Sequence, residues 1–364
     1  MSAMPAAPGR TGGDEGSRKE SLPARALRAL VTQRLVLLVT LLVGLLVVMK
    51  LLENGGYLVA PYSSDYLAAS LIDAVALGML ALAELVVIVS GRGGIDLSVG
   101  SMVSLSGMVF GFAIGEWGWP LLPAVLFAVL AGGALGAING FFVSALGFPP
   151  LITTLATYYA YSSIALVINS SSPISTPAIQ ELTWLTQTVE LPLFGQYVPD
   201  FPMGLFLFAI PIVVLLWLNV TRGTFGRQLY AIGTNDTAAR YAGVPVGSVR
   251  FRAYLTSGLI CGLVAVVTVS QFASARPDAG TTGNGMALPA ITIAVLGGVA
   301  ITGGVGRVIG VVVATVLVVW LNAGILLSFE GSEGSQYQLL ALGGVLIFAA
   351  ILNGFATRRY GGTS

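Results

Sequence analysis

Histidine does not occur in this sequence, which removes the commonest metal ligand and the commonest general base together. Cysteine occurs once, as Cys261, so neither an internal disulfide nor a thiolate zinc site can be built, and its apolar setting marks it as a packing residue. Lysine occurs only at Lys19 and Lys50, and neither follows a Gly-x-x-x-x-Gly. A Walker A loop is therefore absent and nucleotide hydrolysis by that device is excluded. Charge is scarce too: 9% of residues carry it, against about 25% in a soluble domain, too few to face water on every side. A net charge of +1 leaves no concentrated basic face for nucleic acid. No catalytic residue, metal site or cofactor is expected on this chain.

What is abundant is apolar surface and glycine. Hydrophobic residues make up 55% of the 364, mean hydropathy is +0.89, and there are 47 glycines, which suit close packing of membrane helices. A bilayer core needs about 20 helical residues per crossing, and the apolar runs predict an all-α, polytopic transmembrane helix bundle of about ten spans. They fall near 35–52, 66–89, 97–114, 121–146, 151–168, 203–220, 252–272, 286–301, 308–328 and 339–352. The first run is longer than a signal-peptide core and reads as a retained helix. Residues 1–33 read as a disordered basic segment, 34–357 as the membrane domain and 358–364 as a short tail. Arg222, Arg227, Arg240, Arg250, Arg252 and Arg307 gather with the basic ends on one side. Acids such as Glu53, Asp65, Glu116, Glu181 and Asp278 gather on the other. That split is the positive-inside bias, and it places both termini in the cytoplasm, where Arg10, Arg18, Lys19, Arg25 and Arg28 could touch anionic membrane lipid. One outer loop, 169–202, is long enough to be a docking surface or disordered.

A glycine-rich break occurs twice, at 89–100 and at 297–306. Breaks at comparable places in two halves point to a translocation path, although tight turns would look the same. The first contains Gly93-Gly94-Ile95-Asp96-Leu97-Ser98-Val99-Gly100-Ser101. A second motif is Gly233-Thr234-Asn235-Asp236-Thr237-Ala238-Ala239-Arg240-Tyr241-Ala242-Gly243-Val244. A third joins Ala290-Ile291 to Leu296-Gly297-Gly298 and Gly303-Gly304-Val305-Gly306. Taken in order, these resemble the permease subunits of ABC importers of the ribose/xylose/galactose (monosaccharide) group, over nearly everything after Tyr66. The resemblance implies a bacterial inner-membrane subunit that is not itself an enzyme. It implies a separate ABC ATPase holding ATP and Mg, a periplasmic or extracellular substrate-binding protein, and a second permease, identical or paralogous. It also implies that the cytoplasmic segment 222–251 carries the ATPase-coupling helix, on Gly233, Asn235, Asp236, Ala238, Ala239, Arg240 and Gly243. An ABC permease for nucleosides or another small polar solute is a neighbouring alternative.

The residues carry a reading of their own beside the resemblance. Asp96 is placed to cap a helix opening at Leu97, and Arg92 to pair with it or with lipid phosphate. Gly94, Asp96, Ser98, Gly100, Gly303 and Gly304 therefore form either a gate or a structural turn. Asn235 or Asp236 can cap a short helix that Gly243 ends, a lever for a partner or an interfacial helix. Polar residues inside spans are candidates for a sugar path: Asn139, Thr153, Thr157, Tyr161, Gln271 and Asn322. Interhelical hydrogen bonding would use the same residues. Asp73 and Glu84 are intramembrane acids, and they support a rival reading as a proton-coupled secondary transporter.

Overall fold

The computed structural model describes residues 33–190, 198–282, 285–329 and 333–360. Residues 1–32 of the basic segment and 361–364 of the tail lie outside the described residues, as do Pro192 and Tyr197 of the long loop. In chain order the helices are α1 (Arg34–Asn54), α2 (Ser64–Val89), α3 (Val99–Gly111), α4 (Leu121–Ser144) and α5 (Pro150–Val167). They continue with the single turn α6 (Pro177–Gln180), α7 (Ile210–Thr221), α8 (Thr224–Thr234) and α9 (Asp236–Tyr241). The last four are α10 (Val246–Phe272), α11 (Ala287–Leu296), α12 (Val308–Ser328) and α13 (Glu333–Tyr360). A two-residue ribbon, β1 (Thr188–Val189) antiparallel to β2 (Phe201–Pro202), lies within the long loop. The described part of that loop also packs back on the bundle, where Ile174 pairs with Ala275 beyond the end of α10.

The fold is an all-α membrane bundle. Among the described residues seven helices are long and apolar enough to cross a bilayer, or up to eight if the bent pair α7–α8 is one span. The two halves of that pair meet at 66°, because Gly226 packs directly on the carbonyl of Val220 and the chain turns there. The other two expected crossings fall short for different reasons. Helix α5 has the length but spends positions on Thr153, Thr154, Thr157, Tyr158, Tyr159 and Tyr161. Helix α11 has only 10 residues, about half a crossing at 1.5 Å per residue.

Helices α2, α3 and α10 form the buried centre, while α1 and α13 lie at the edge. The tightest joint is α4 against α10. Gly132 and Gly136 of α4 face Gly258 and Gly262 of α10, backbone against backbone, and a Cβ at Gly258 would overlap the carbonyl of Gly132. Both pairs have the small-xxx-small spacing that lets membrane helices approach closely.

Two connections turn back into the bundle from opposite ends. After α2 the chain reverses at Ser90–Gly94 and brings the Asp96 amide against Glu84, one and a half turns back along α2. After α10 the chain passes Gly111 of α3 at Ala275 and reaches Gly100 of α3 at Gly280. Eleven residues of helix separate those two glycines, about 16 Å of descent. Helix α11 therefore starts inside the bundle, after a segment whose described residues form turns.

Candidate functional site

At the end of the bundle that carries Arg92, Arg250 and Arg307, the three sequence motifs come together. The Gly304 amide donates to the carbonyl of Val89 at 3.0 Å. Gly233 sits between those same two groups with no room for a Cβ, and Gly303 packs on Gly91. Gly91 and Gly303 have φ of +80° and +92°, a region that L side chains avoid. The Tyr230 hydroxyl of α8 closes the cluster, donating to the Gly306 carbonyl at 2.6 Å. Both glycine-rich breaks and the first residue of the cytoplasmic motif thus share one contact.

The signature loop carries a polar network buried beneath that contact. Helix α3 opens at Val99, with Ser98 rather than Asp96 in the N-cap position. Asp96 makes an Asx turn just ahead of the helix, its Oδ1 accepting from the Ser98 amide at 3.0 Å and the Ser98 hydroxyl at 2.6 Å. Asn139 of α4 donates to Ser98 Oγ at 2.8 Å, and Thr154 of α5 donates to the Ile95 carbonyl at 3.1 Å. Glu84 accepts from the Asp96 amide at 3.3 Å. Both acids are fully buried, with Tyr254 and Ser257 of α10 bordering them. Gly94 lies against the carbonyl of Val87, and Gly100 against Gly280.

Arg250 joins this loop to the cytoplasmic motif. Its guanidinium is buried and donates both to the Ser90 carbonyl at 3.0 Å and to Asp236 Oδ1 at 2.6 Å. Arg92, expected to face Asp96 or lipid, lies instead 3.9 Å from the other oxygen of Asp236. Asn235 is the cap of α9: its side chain accepts from the amides of Thr237 and Ala238 at 3.0 and 2.9 Å. Gly243 ends the turn with φ +80°. Ala239 points into the protein, whereas Ala238, Arg240 and Tyr241 are exposed, Tyr241 at 90%. Arg250 figured in the sequence only as one of a set of loop arginines. Its place inside the first turns of α10, among apolar residues, was the available signal.

The candidate path residues fall into two groups. Asn139, Thr153, Thr157 and Tyr161 are buried where α3, α4 and α5 meet. There Thr153 donates to Pro149, Thr157 to Thr153 and Tyr161 to Leu135, all at backbone carbonyls 3.0–3.1 Å away. Gln271 and Asn322 line something different, an open cleft of about 420 Å³ at the other end of the bundle, shared with Tyr66, Asp73, Met286 and Gln338. Gln271 Nε2 donates to Asp73 Oδ1 at 3.2 Å. In the loop that leads down to this region, the Thr282 hydroxyl donates to Asp278 Oδ2 at 2.7 Å and Arg276 lies 3.4 Å from Asp278 Oδ1. Among the described residues no cluster of three or more acids or cysteines is placed to hold a metal ion.

Comparison with known proteins adds a family. Residues 66–350 match the family described as the branched-chain amino acid transport system / permease component. The chain is 34% identical over 296 residues to the autoinducer 2 import system permease protein LsrD of Photorhabdus laumondii, spanning 79% of this chain and 82% of the relative. It is 34% identical over 261 residues to the D-allose transport system permease protein AlsC of Escherichia coli K12, spanning 71% and 75%. No solved structure matches.

Proposed function

This chain belongs to the branched-chain amino acid transport system / permease component family, a multi-pass inner-membrane permease, and we propose that it imports a monosaccharide or a similar small polyol. The names of its relatives, one of them an allose system, support a sugar over an amino acid. On this reading a periplasmic or extracellular binding protein delivers the solute at the acidic end. A second permease, identical or paralogous, completes the pathway, with ten crossings in each and both termini inside. A separate ABC ATPase, holding ATP and Mg, docks on the exposed face of α9. The chain itself is a transport component that binds no nucleotide.

The latch through Arg250 is the observation that carries the reading. When the ATPases close on ATP they move α9. Asp236 moves with it, and Arg250 passes the shift to the Ser90 carbonyl and hence to the loop that holds Asp96 and Ser98. A buried guanidinium nitrogen, Nη2, that donates to both partners couples them stiffly, because losing either bond leaves a buried polar group unpaired. The glycine contact among Gly91, Gly233 and Gly303–Gly304 keeps the gate loop and the docking segment in register. The proton-coupled alternative gains nothing from the site: Glu84 is buried against the Asp96 amide, and the family relation favours an ATP-driven partner system.

The test is uptake into proteoliposomes containing the permease, its ATPase and its binding protein. Sugar should accumulate only with ATP inside-facing on the ATPase and with the binding protein outside. Accumulation by the permease alone, driven by a proton gradient, would overturn the proposal.

A further inference from the structure

We infer that the cleft between α2, α10, α12 and the start of α11 is a built polyol site, where the sugar first leaves its carrier protein for the permease; the inference rests on the function proposed above. The cleft's wall is mainly apolar, but four polar side chains converge in it, which a lipid-facing groove would not gather. Asp73 comes from α2, Gln271 from α10, Asn322 from α12 and Gln338 from α13, so separate helices converge on one space. Intramembrane ionisable groups are expensive against lipid and are found facing interiors or water-filled cavities. The volume of about 420 Å³ falls in the range of small-molecule sites.

The lining has the chemistry of diol recognition. Asp73 offers two acceptor oxygens, of which one takes the Gln271 amide and the other is available to sugar hydroxyls. Primary amides both donate and accept, as neighbouring hydroxyls require. Gln338 Nε2 donates to the Asn322 backbone carbonyl at 3.1 Å, which aligns two amide-bearing residues on the far wall. Tyr66, with its hydroxyl donated to the Ala323 carbonyl at 3.0 Å, adds a fixed apolar ring beside them. A zwitterionic amino acid fits less well. Among the described residues no lysine or arginine lines the cleft to take its carboxylate. The nearby start of α11 is a poor anion site as well, because Pro289 in its first turn has no N–H to offer.

The single native cysteine is fully buried, so the chain suits labelling at introduced cysteines. Gln271→Cys and Asn322→Cys would be made in the complete transporter and treated from the outside with a charged methanethiosulfonate reagent. Both should react, and Thr157→Cys, packed between helices, should not. A mixture of D-ribose, D-xylose, D-allose and D-galactose should slow the reaction, whereas leucine and isoleucine should leave it unchanged. In the same vesicles Asp73→Asn should raise the KM for uptake about tenfold, the effect of losing one charge-assisted hydrogen bond. Unreactive cysteines, protection by leucine instead of sugars, or an unaltered KM while sugar uptake continues would each overturn the site and leave the importer standing. Failure of the unmodified transporter to take up any of the four sugars would remove the proposed function, and the site with it.

Discussion

Gly233 is enclosed by backbone, with the Val89 carbonyl on one side and the Gly304 amide on the other. Gly233→Ala should therefore act as an overpacking substitution against atoms that cannot rotate away, at about 1–3 kcal/mol. Thermal unfolding of the detergent-solubilised protein should show a lowered midpoint, while Gly247→Ala, which has space for the methyl group, should not. Two neighbouring alanines should separate packing from docking. Ala239 is buried, so Ala239→Trp should reduce the yield of folded protein; Ala238 is exposed, so Ala238→Trp should leave the fold intact and weaken capture of the ATPase in a pull-down. The types and spacing of these residues were legible in the sequence. Which alanine faces outward was not, since a six-residue helix has no hydrophobic stripe long enough to set its phase. Arg250 was hidden for another reason: its partner Ser90 lies 160 residues away.

At the scale of elements, long apolar helices such as α2, α4, α10 and α12 were readable from hydropathy alone. The span expected at 286–301 holds a helix of only 10 residues, because a buried half-helix and the apolar segment after it make one continuous run in composition. The descent of 275–280 along α3, which carries the chain into the bundle ahead of that helix, leaves no mark in hydropathy, because it depends on Gly100 and Gly280 meeting backbone to backbone. The α4–α10 joint rests on the same principle. Gly258→Val should force those helices apart and abolish folded protein, judged by size-exclusion profile, while Gly343→Val on peripheral α13, with open space beside it, should be neutral. The candidate path residues show how far periodicity reaches. Thr153, Thr157 and Tyr161 do share a face of α5, but that face is packed, and the open cleft uses positions from four other helices.

The whole molecule has a basic end, where α9 is latched through Arg250 to the loop before α3, and at the opposite end a cleft into which polar side chains converge. On the proposed function, force enters at one and solute at the other, and the buried network of Glu84, Asp96, Ser98 and Asn139 lies along the way. If Arg250 is the rigid link, the effects of removing it and of removing Asp236 should not add. A double-mutant cycle on transport should show coupling of about 1–3 kcal/mol, the range for residues in one hydrogen-bonded network. The most direct measurement is the ratio of sugar imported to ATP hydrolysed by the reconstituted transporter carrying Arg250→Met. Hydrolysis should persist while import falls away, so that the ratio collapses. A ratio equal to that of the unmodified protein, at any overall rate, would contradict it.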